Sequence, residues 1–389
     1  MLSITQIELT PVLVPFWDAV REAMQSGEGG LGMAIPAEEP WPGADFVICR
    51  LTADDGTVGL GEVMLWLPET GVSPDQVMSI IRDHLHRYVI GENPFDIERI
   101  NHRMDINAAR NEVAKGLIDM ACYDLMGKAS GCPAYEFMGG RQVGEVPLAA
   151  LIPLMDVEAM VFLVRYFRAA GWRTFRLKLG RSADEDVSIV KSVREALGEE
   201  VRLRVDYNQA YTQGEAVRAI TAIEPYGIDY AETPVDATDF LAMAQVQKQV
   251  AVPLMAHEGC FSLTDIVTLA ELGAIGVVGI NSERPGGITK ALKAISFAEE
   301  RGMGVVLHNQ TLGIASAAQI HIAAAKHNSL GHATELFGHI MMEDDLILEP
   351  IDYSDGTATV MTGAGWGVEL DEEALEKYAT GPTVVIKEG

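Results

Sequence analysis

"VRLRVDYNQA", residues 201–210, alternates apolar and polar side chains. Val201, Leu203 and Val205 fall on one side; Arg202, Arg204, Asp206 and Asn208 fall on the other. This period of two marks a strand with one buried face. In a one-sided sheet the polar face would meet water. What flanks the stretch decides whether this row has another use.

From about residue 145 onward, short apolar runs alternate with amphipathic helical patterns. Eight runs stand out: "VPLAALIPL", "TFRLKLG", "VRLRVDYN", "GIDYAETPV", "VPLMAHEG", "IGVVGIN", "GVVLHNQ" and "HATELFG". The segments between them look helical; "SADEDVSIVKSVREALG" opens with Ser182 and Glu185 in capping-box positions. Strand–helix alternation implies parallel βαβ units, and eight of them predict a closed (β/α)8 barrel. The polar residues ending the runs, Lys178, Asp206, Glu232, Glu258, Asn281, His308 and Glu335, are spaced by 28, 26, 26, 23, 27 and 27 residues, one βα repeat each time. In such barrels the strand ends at the C-terminal face build the active site. The polar row of residues 201–210 therefore points into a barrel mouth.

The first part of the chain predicts an α+β unit. "SITQIELTPVLVPF" and "DFVICRLTADDGTVGLGEVM" read as strands, with Asp55-Gly56 as a hairpin turn. Between them residues 23–43, rich in Gly and Pro, read as a long mobile loop of the kind that is commonly functional. "SPDQVMSIIRDHL" begins with a capping box, Ser73 and Gln76, and "NEVAKGLIDMACYDLMGKAS" has helical spacing.

The chain has 389 residues, 48% of them hydrophobic and 22% charged, which suits a folded protein of two domains or one enlarged barrel. A net charge of −27 argues against nucleic acid and anionic membranes as partners. Cys49, Cys122, Cys132 and Cys260 form no CxxC motif, the N-terminus lacks a signal-peptide pattern, and no apolar run is long enough to span a membrane. The expectation is a reduced, cytoplasmic, homo-oligomeric protein.

Asp206, Glu232 and Glu258 lie on consecutive strands, which run ~4.8 Å apart. Three converging carboxylates repel unless a hard divalent cation lies between them, and oxygen ligands with open positions suit Mg2+, or Mn2+. The competing reading pairs each acid with a neighbouring Arg or Lys. His257 precedes Glu258, and spacing alone does not choose between them; the carboxylate is preferred because imidazole suits Mg2+ poorly. Lys178 and His308 flank the acids as candidate base and acid. Arg176, two residues before Lys178, shares its face and suits a substrate carboxylate, and Asn208 is a further candidate for binding substrate.

These residues resemble the enolase superfamily, specifically its mandelate racemase and muconate lactonizing enzyme group. The likeness runs through "TADDGTVGLGE", "AKGLIDMACYDLMGKASGCPAYEFMGG", "FRLKLG", "VDYNQA", "AETPV", "ERPGGIT", "ELFG" and "GAGWGVELDEEALEKY". It implies a capping domain (1–128), a modified barrel (129–345) and a C-terminal segment (346–389) that returns to the cap. It also implies Mg2+ on Asp206, Glu232 and Glu258, and removal of a proton α to a carboxylate to give an enediolate. Lys178 matches the second lysine of the family's Lys-x-Lys.

The chain departs from that pattern. Arg176 replaces the first lysine and cannot act as a base at neutral pH. Asn281 stands where relatives carry Lys or Asp, so a symmetric two-lysine racemase is not expected. His308 matches a seventh-strand His but lacks its usual Asp partner. Glu335, in "TELFG", looks more like the lactonizing side and suits a substrate carboxylate or hydroxyl.

One base and one acid predict a dehydratase acting on a sugar acid or related hydroxy acid, a hydro-lyase. The alternative is an isomerase: a cycloisomerase opening a lactone or anhydro ring, or a racemase or epimerase. A Schiff-base barrel using Lys178 and a catalytically silent binding protein are weaker competitors, the first because it leaves the acids unexplained. Substrate choice in this family lies in the capping loops, here residues 17–43 and 64–69. There Trp66 and Glu69, with Trp17 and Trp41, are candidate substrate contacts, set against ordinary packing for the aromatics.

Overall fold

The computed structural model describes residues 2–25 and 41–387. Strands Ile4–Pro15, Gly43–Ala53 and Val58–Leu65 form an antiparallel meander. The hairpin falls at Asp55-Gly56, as expected. Asp55 accepts the Thr57 N–H at 2.8 Å and Gly56 adopts a φ of +86°, a conformation open to glycine. Val384–Lys387 adds a fourth strand along the first, from Leu9↔Val384 to Gln6↔Lys387, so the chain's end returns to the sheet where the chain began.

The helix Glu112–Ser130 lies across this sheet, buried from Val113 to Gly127. The close approach explains "GLG": a Cβ on Gly59 would stand 2.2 Å from the Ala121 carbonyl oxygen, and one on Gly61 2.5 Å from that of Leu117. Helix Pro74–Asp83 carries both halves of its Ser73–Gln76 capping box. At Ser182 one half forms: its hydroxyl accepts the Glu185 N–H at 3.2 Å, while the Glu185 carboxylate turns to Arg181. The stretch read as a loop begins with the end of helix Asp18–Gln25, and residues 26–40 of it lie outside the described residues.

All eight predicted runs are strands of one parallel sheet in sequential order: Ala149–Ile152, Thr174–Lys178, Arg202–Asp206, Ile228–Glu232, Leu254–Ala256, Val277–Ile280, Gly304–Asn309 and Glu335–Leu336. A bridge between Leu148 and Thr334 joins the last strand to the first, with the Ala149 N–H donating to the Thr334 carbonyl at 2.9 Å. The result is a (β/α)8-type barrel beside a separate antiparallel α+β domain. Tyr230, Met255, Val277 and Val306, from strands four to seven, pack together as an apolar layer.

The helix Gly313–Ala325 is buried along its whole length, packed against both the barrel strand Gly304–Asn309 and the N-terminal strand Val58–Leu65. The tie is Glu62, whose carboxylate accepts N–H groups from Leu312 at 2.7 Å, Ile314 at 3.1 Å and Ala315 at 3.2 Å. A carboxylate from one domain thus caps a helix of the other, where the helix dipole favours it.

Candidate active site

Pairing across the sheet sets the predicted ring at one level. Lys178 stands opposite Asp206, Asp206 opposite Glu232, and His308 opposite Glu335. On the fifth strand the alternation favours the histidine. Met255 belongs to the apolar layer inside the barrel, so His257, two residues on, shares its inward face. Gly279 on the next strand makes room: a Cβ there would stand 3.0 Å from the Cβ of His257. Glu258 reaches the same place from the loop beyond. Ligand atoms of Glu232, His257 and Glu258 lie within 4.8 Å of one another.

Asp206 is not in that group; cations hold it. The Arg176 guanidinium and the Lys178 ammonium both bond Asp206 Oδ2, and the Asn208 N–H reaches Oδ1 at 2.9 Å. Arg176 also grips Glu232 through Nε at 3.0 Å and Nη2 at 2.9 Å. Arg176 thus binds the acids of the ring, where a substrate-carboxylate contact was expected. Burial raises the carboxyl pKa of Asp206, yet Arg176 and Lys178 hold it below the usual range. At Glu232 burial wins over Arg176, and the neighbouring Asp206 and Glu335 push the same way, so its carboxyl lies well above the usual range.

Lys178 donates to Asp206 and to the Asn208 side chain, which in turn donates to Glu258 at 3.0 Å. Asn208 has a φ of +43°, a left-handed turn that aims its amide back toward the lysine. Asn281 Oδ1 lies 2.7 Å from His257 Nε2, so this amide serves His257. His308 packs its ring 4.1 Å from that of His257 and has no hydrogen-bond partner on either nitrogen among the described residues. Burial, then His257 and the cations Arg176, Lys178 and Arg284, hold its pKa well below 6.5. It stands there as a neutral imidazole. Glu335 lies deeper, bound by Arg204 at 3.0 Å, the Tyr230 hydroxyl at 3.1 Å and Arg176 at 3.4 Å.

The mouth opens into a cleft of about 460 Å³ lined by Arg176, Lys178, Asn208, His257, Glu258 and His308. A second cleft, of about 270 Å³, is lined by Trp66, Glu69, Asn281 and Arg284, among others. The capping residues Trp66 and Glu69 therefore do face the site. Trp66 is buried with its ring 4.6 Å from that of Trp41, whereas Trp17 is exposed. Glu69 pairs with Arg284, and its carboxylate lies 3.6 Å from His257 Nε2. Arg284 went unremarked in the sequence: "ERPGG" follows the sixth strand, with Arg284 three residues past Asn281. Its Nη2 lies 3.2 Å from His257 Nε2 and its guanidinium 4.8 Å from the Phe261 ring centroid.

The residues present fit a divalent cation. Glu232, His257 and Glu258 supply two carboxylates and an imidazole, and Glu258 Oε2 is buried without a hydrogen-bond partner. A cation is what such lone pairs lack.

A parallel barrel with acids, a lysine and histidines at its C-terminal mouth, under a capping domain, has the arrangement of a barrel enzyme's active site. Family models agree: residues 37–139 match the mandelate racemase / muconate lactonizing enzyme N-terminal domain, and residues 159–374 match an enolase C-terminal domain-like model. The chain belongs to the mandelate racemase/muconate lactonizing enzyme family of the enolase superfamily.

It is 35% identical over 292 residues to a hydrophobic dipeptide epimerase of Enterococcus faecalis, covering 73% of this chain and 80% of that protein. It is 30% identical over 341 residues to an N-succinyl-L-Arg/Lys racemase of Bacillus cereus, covering 87% and 91%. The crystal structure of the Bacillus cereus racemase superposes with a TM-score of 0.88 at 27% identity over 99% of this chain and all of that one. A muconate lactonizing enzyme of Pseudomonas fluorescens, complexed with muconolactone, gives 0.87 at 28% over 97% and 99%. A dipeptide epimerase of Cytophaga hutchinsonii, complexed with Mg and D-Ala-L-Val, gives 0.84 at 25% over 99% and 100%. The relatives are isomerases, so the dehydratase reading finds no support there and its isomerase alternative does. Among the described residues no helix is long and apolar enough to cross a membrane.

Proposed function

We infer that the protein is a divalent-cation-dependent isomerase that moves a proton at the carbon α to a carboxylate, in the manner of a cycloisomerase. The observation carrying this reading is that the ring of strand ends holds one lysine, Lys178, facing the cleft, while the sixth strand offers the amide of Asn281. Racemisation by two bases needs a second proton carrier on the opposite face. Ring opening and closing need one. When the C–H bond α to the carboxylate breaks, the electron pair forms a C=C bond and expels the ring oxygen from the β carbon, so mass is unchanged. Lys178 takes that proton and returns it in the reverse direction. A bound divalent cation supplies charge stabilisation for the carboxylate oxygens as the proton leaves. Asn208 orients the Lys178 ammonium, and Trp66 keeps water from the cleft.

His308, a neutral imidazole on the seventh strand, supports a second reading as an epimerase in which it is the opposing base. The names of the dipeptide epimerase and racemase relatives favour the same reading. Incubation in D2O with muconolactone, D-Ala-L-Val or an N-succinyl amino acid, followed by 1H NMR and mass spectrometry, separates the two. A ring-opened product isomeric with the lactone supports cycloisomerisation. Deuterium at the α carbon of the dipeptide or acyl amino acid with inversion supports epimerisation. Loss of one water from a substrate would overturn both.

A further inference from the structure

We propose that Asp186 and Tyr211 form a clamp that keeps the Asn208 amide on the Lys178 ammonium, which makes them positioning residues for proton transfer. Their part in turnover rests on the isomerase reading above; the clamp itself does not. Asp186 lies in the first turn of helix Ala183–Leu197, which follows the second barrel strand, and it is fully buried. Its carboxylate joins two loops of the mouth. Oδ1 accepts the N–H of Gly180, two residues past Lys178, at 3.0 Å. Oδ2 accepts the hydroxyl of Tyr211, three residues past Asn208, at 2.6 Å. Burial pushes this carboxyl up to about 6, while the two donors pull it down. Burying an ionisable group is costly, and these two hydrogen bonds go to the loops that carry Lys178 and Asn208.

The turn held by the clamp is strained. Asn208 and Gln209 have φ of +43° and +67°, two successive left-handed residues that are not glycine. Such a turn persists only where its surroundings fix it. On the side of the fourth strand Gln209 does so: its N–H donates to the Thr233 carbonyl at 2.8 Å, and its Oε1 accepts the Ala237 N–H at 2.9 Å. The Tyr211 N–H adds a bond to the Pro234 carbonyl at 3.1 Å. On the side of the second strand the side-chain anchor is Asp186. The two loops also touch there: Gly180 has a φ of +120°, and a Cβ on it would stand 2.6 Å from the Cβ of Ala210. Without the Tyr211 hydroxyl the turn is pinned from one side, and the Asn208 amide is free to leave Lys178.

Two measurements test this, one of them without substrate. Full-length native protein and Tyr211→Phe are labelled with trace acetic anhydride, and lysine acetylation is read by peptide mass spectrometry. Lys178 should react about fivefold faster in the variant, the worth of one hydrogen bond. The exposed Lys191 should react at the native rate.

On a substrate from the screen above, Tyr211→Phe should lower kcat about tenfold with KM unchanged. Asp186→Asn, which keeps an acceptor, should lose less. The double variant Tyr211→Phe/Asn208→Gly should be no slower than Asn208→Gly alone, because the clamp acts through Asn208. A purely structural role would add the two losses instead. Equal Lys178 labelling, additive losses in kcat, or a change in KM alone would overturn the proposal. Faster Lys178 labelling in Tyr211→Phe, with no turnover of any of those substrates by the native protein, would support the clamp and count against the isomerase reading instead.

Discussion

Two groups of buried acids are treated differently. At the seam between cap and barrel, Asp124 accepts N–H groups from Leu60 and Trp366, each at 2.7 Å, and pairs with Lys128 at 2.7 Å. Asp119 is bonded by Asn101 and twice by Thr289, and Glu62 by three backbone N–H groups. Every carboxylate there is saturated. At the mouth, atoms of Glu258, Glu335, Arg176, Arg284 and both nitrogens of His308 lack hydrogen-bond partners. Leaving buried polar atoms unmade is costly, so among these carboxylates saturation goes with holding the fold, and the free oxygens of Glu258 and Glu335 go with the cleft.

The contrast is sharpest if the two regions fail in different currencies. Lys178→Ala should lower the turnover of α-proton exchange about 10³-fold while the thermal unfolding midpoint stays put; a comparable rate in the variant would break the assignment. Asp124→Leu should do the reverse. It strands two N–H donors and a lysine, so urea unfolding should show a loss of about 3 kcal/mol with activity per folded molecule unchanged. Equal effects on both properties in either variant would erase the distinction.

Acid should act first through the packed histidines outside the mouth. Burial holds His321 down to about 3, with its Nδ1 accepting the Tyr135 N–H at 3.2 Å. Its folded pKa lies below its unfolded value near 6.5, so the stability it contributes is present above that value and is lost as pH falls toward 3. Urea midpoints between pH 6.5 and 4.5 should therefore decline more steeply in the native protein than in His321→Gln, by about 2–3 kcal/mol in free energy. Parallel slopes would show that His321 titrates normally. The smallest effect concerns position. Asn208→Gly keeps the left-handed turn but loses the amide that steers Lys178, so kcat should drop about tenfold with KM unchanged. A change in KM alone would make Asn208 a substrate contact.

The barrel was legible because its strands repeat: eight apolar runs, seven of them ending in a polar residue, are a periodic signal. The cap's hairpin and its Ser73 box were equally local. The assignment on the fifth strand was harder, since His257 and Glu258 differ by one residue and repeat spacing is no finer than that. Alternation held the clue, because Met255 and His257 share a face, but reading it required knowing that Met255 points inward. Arg176 illustrates the deeper limit. Its position was plain, yet whether a guanidinium meets substrate or the acids beside it depends on distances across three strands, which no spacing reports. Arg284 was missed because it lies beyond its strand, in a turn whose reach across to Glu69 only the folded chain shows.

The central claim is that a cation at the mouth makes proton removal by Lys178 feasible. The most direct test follows α-proton exchange by 1H NMR in D2O, on a substrate found by the screen above, before and after EDTA treatment. Exchange that stops on chelation and returns with added MnCl2 or MgCl2 is the predicted result. Exchange continuing at the same rate in the stripped protein would contradict it.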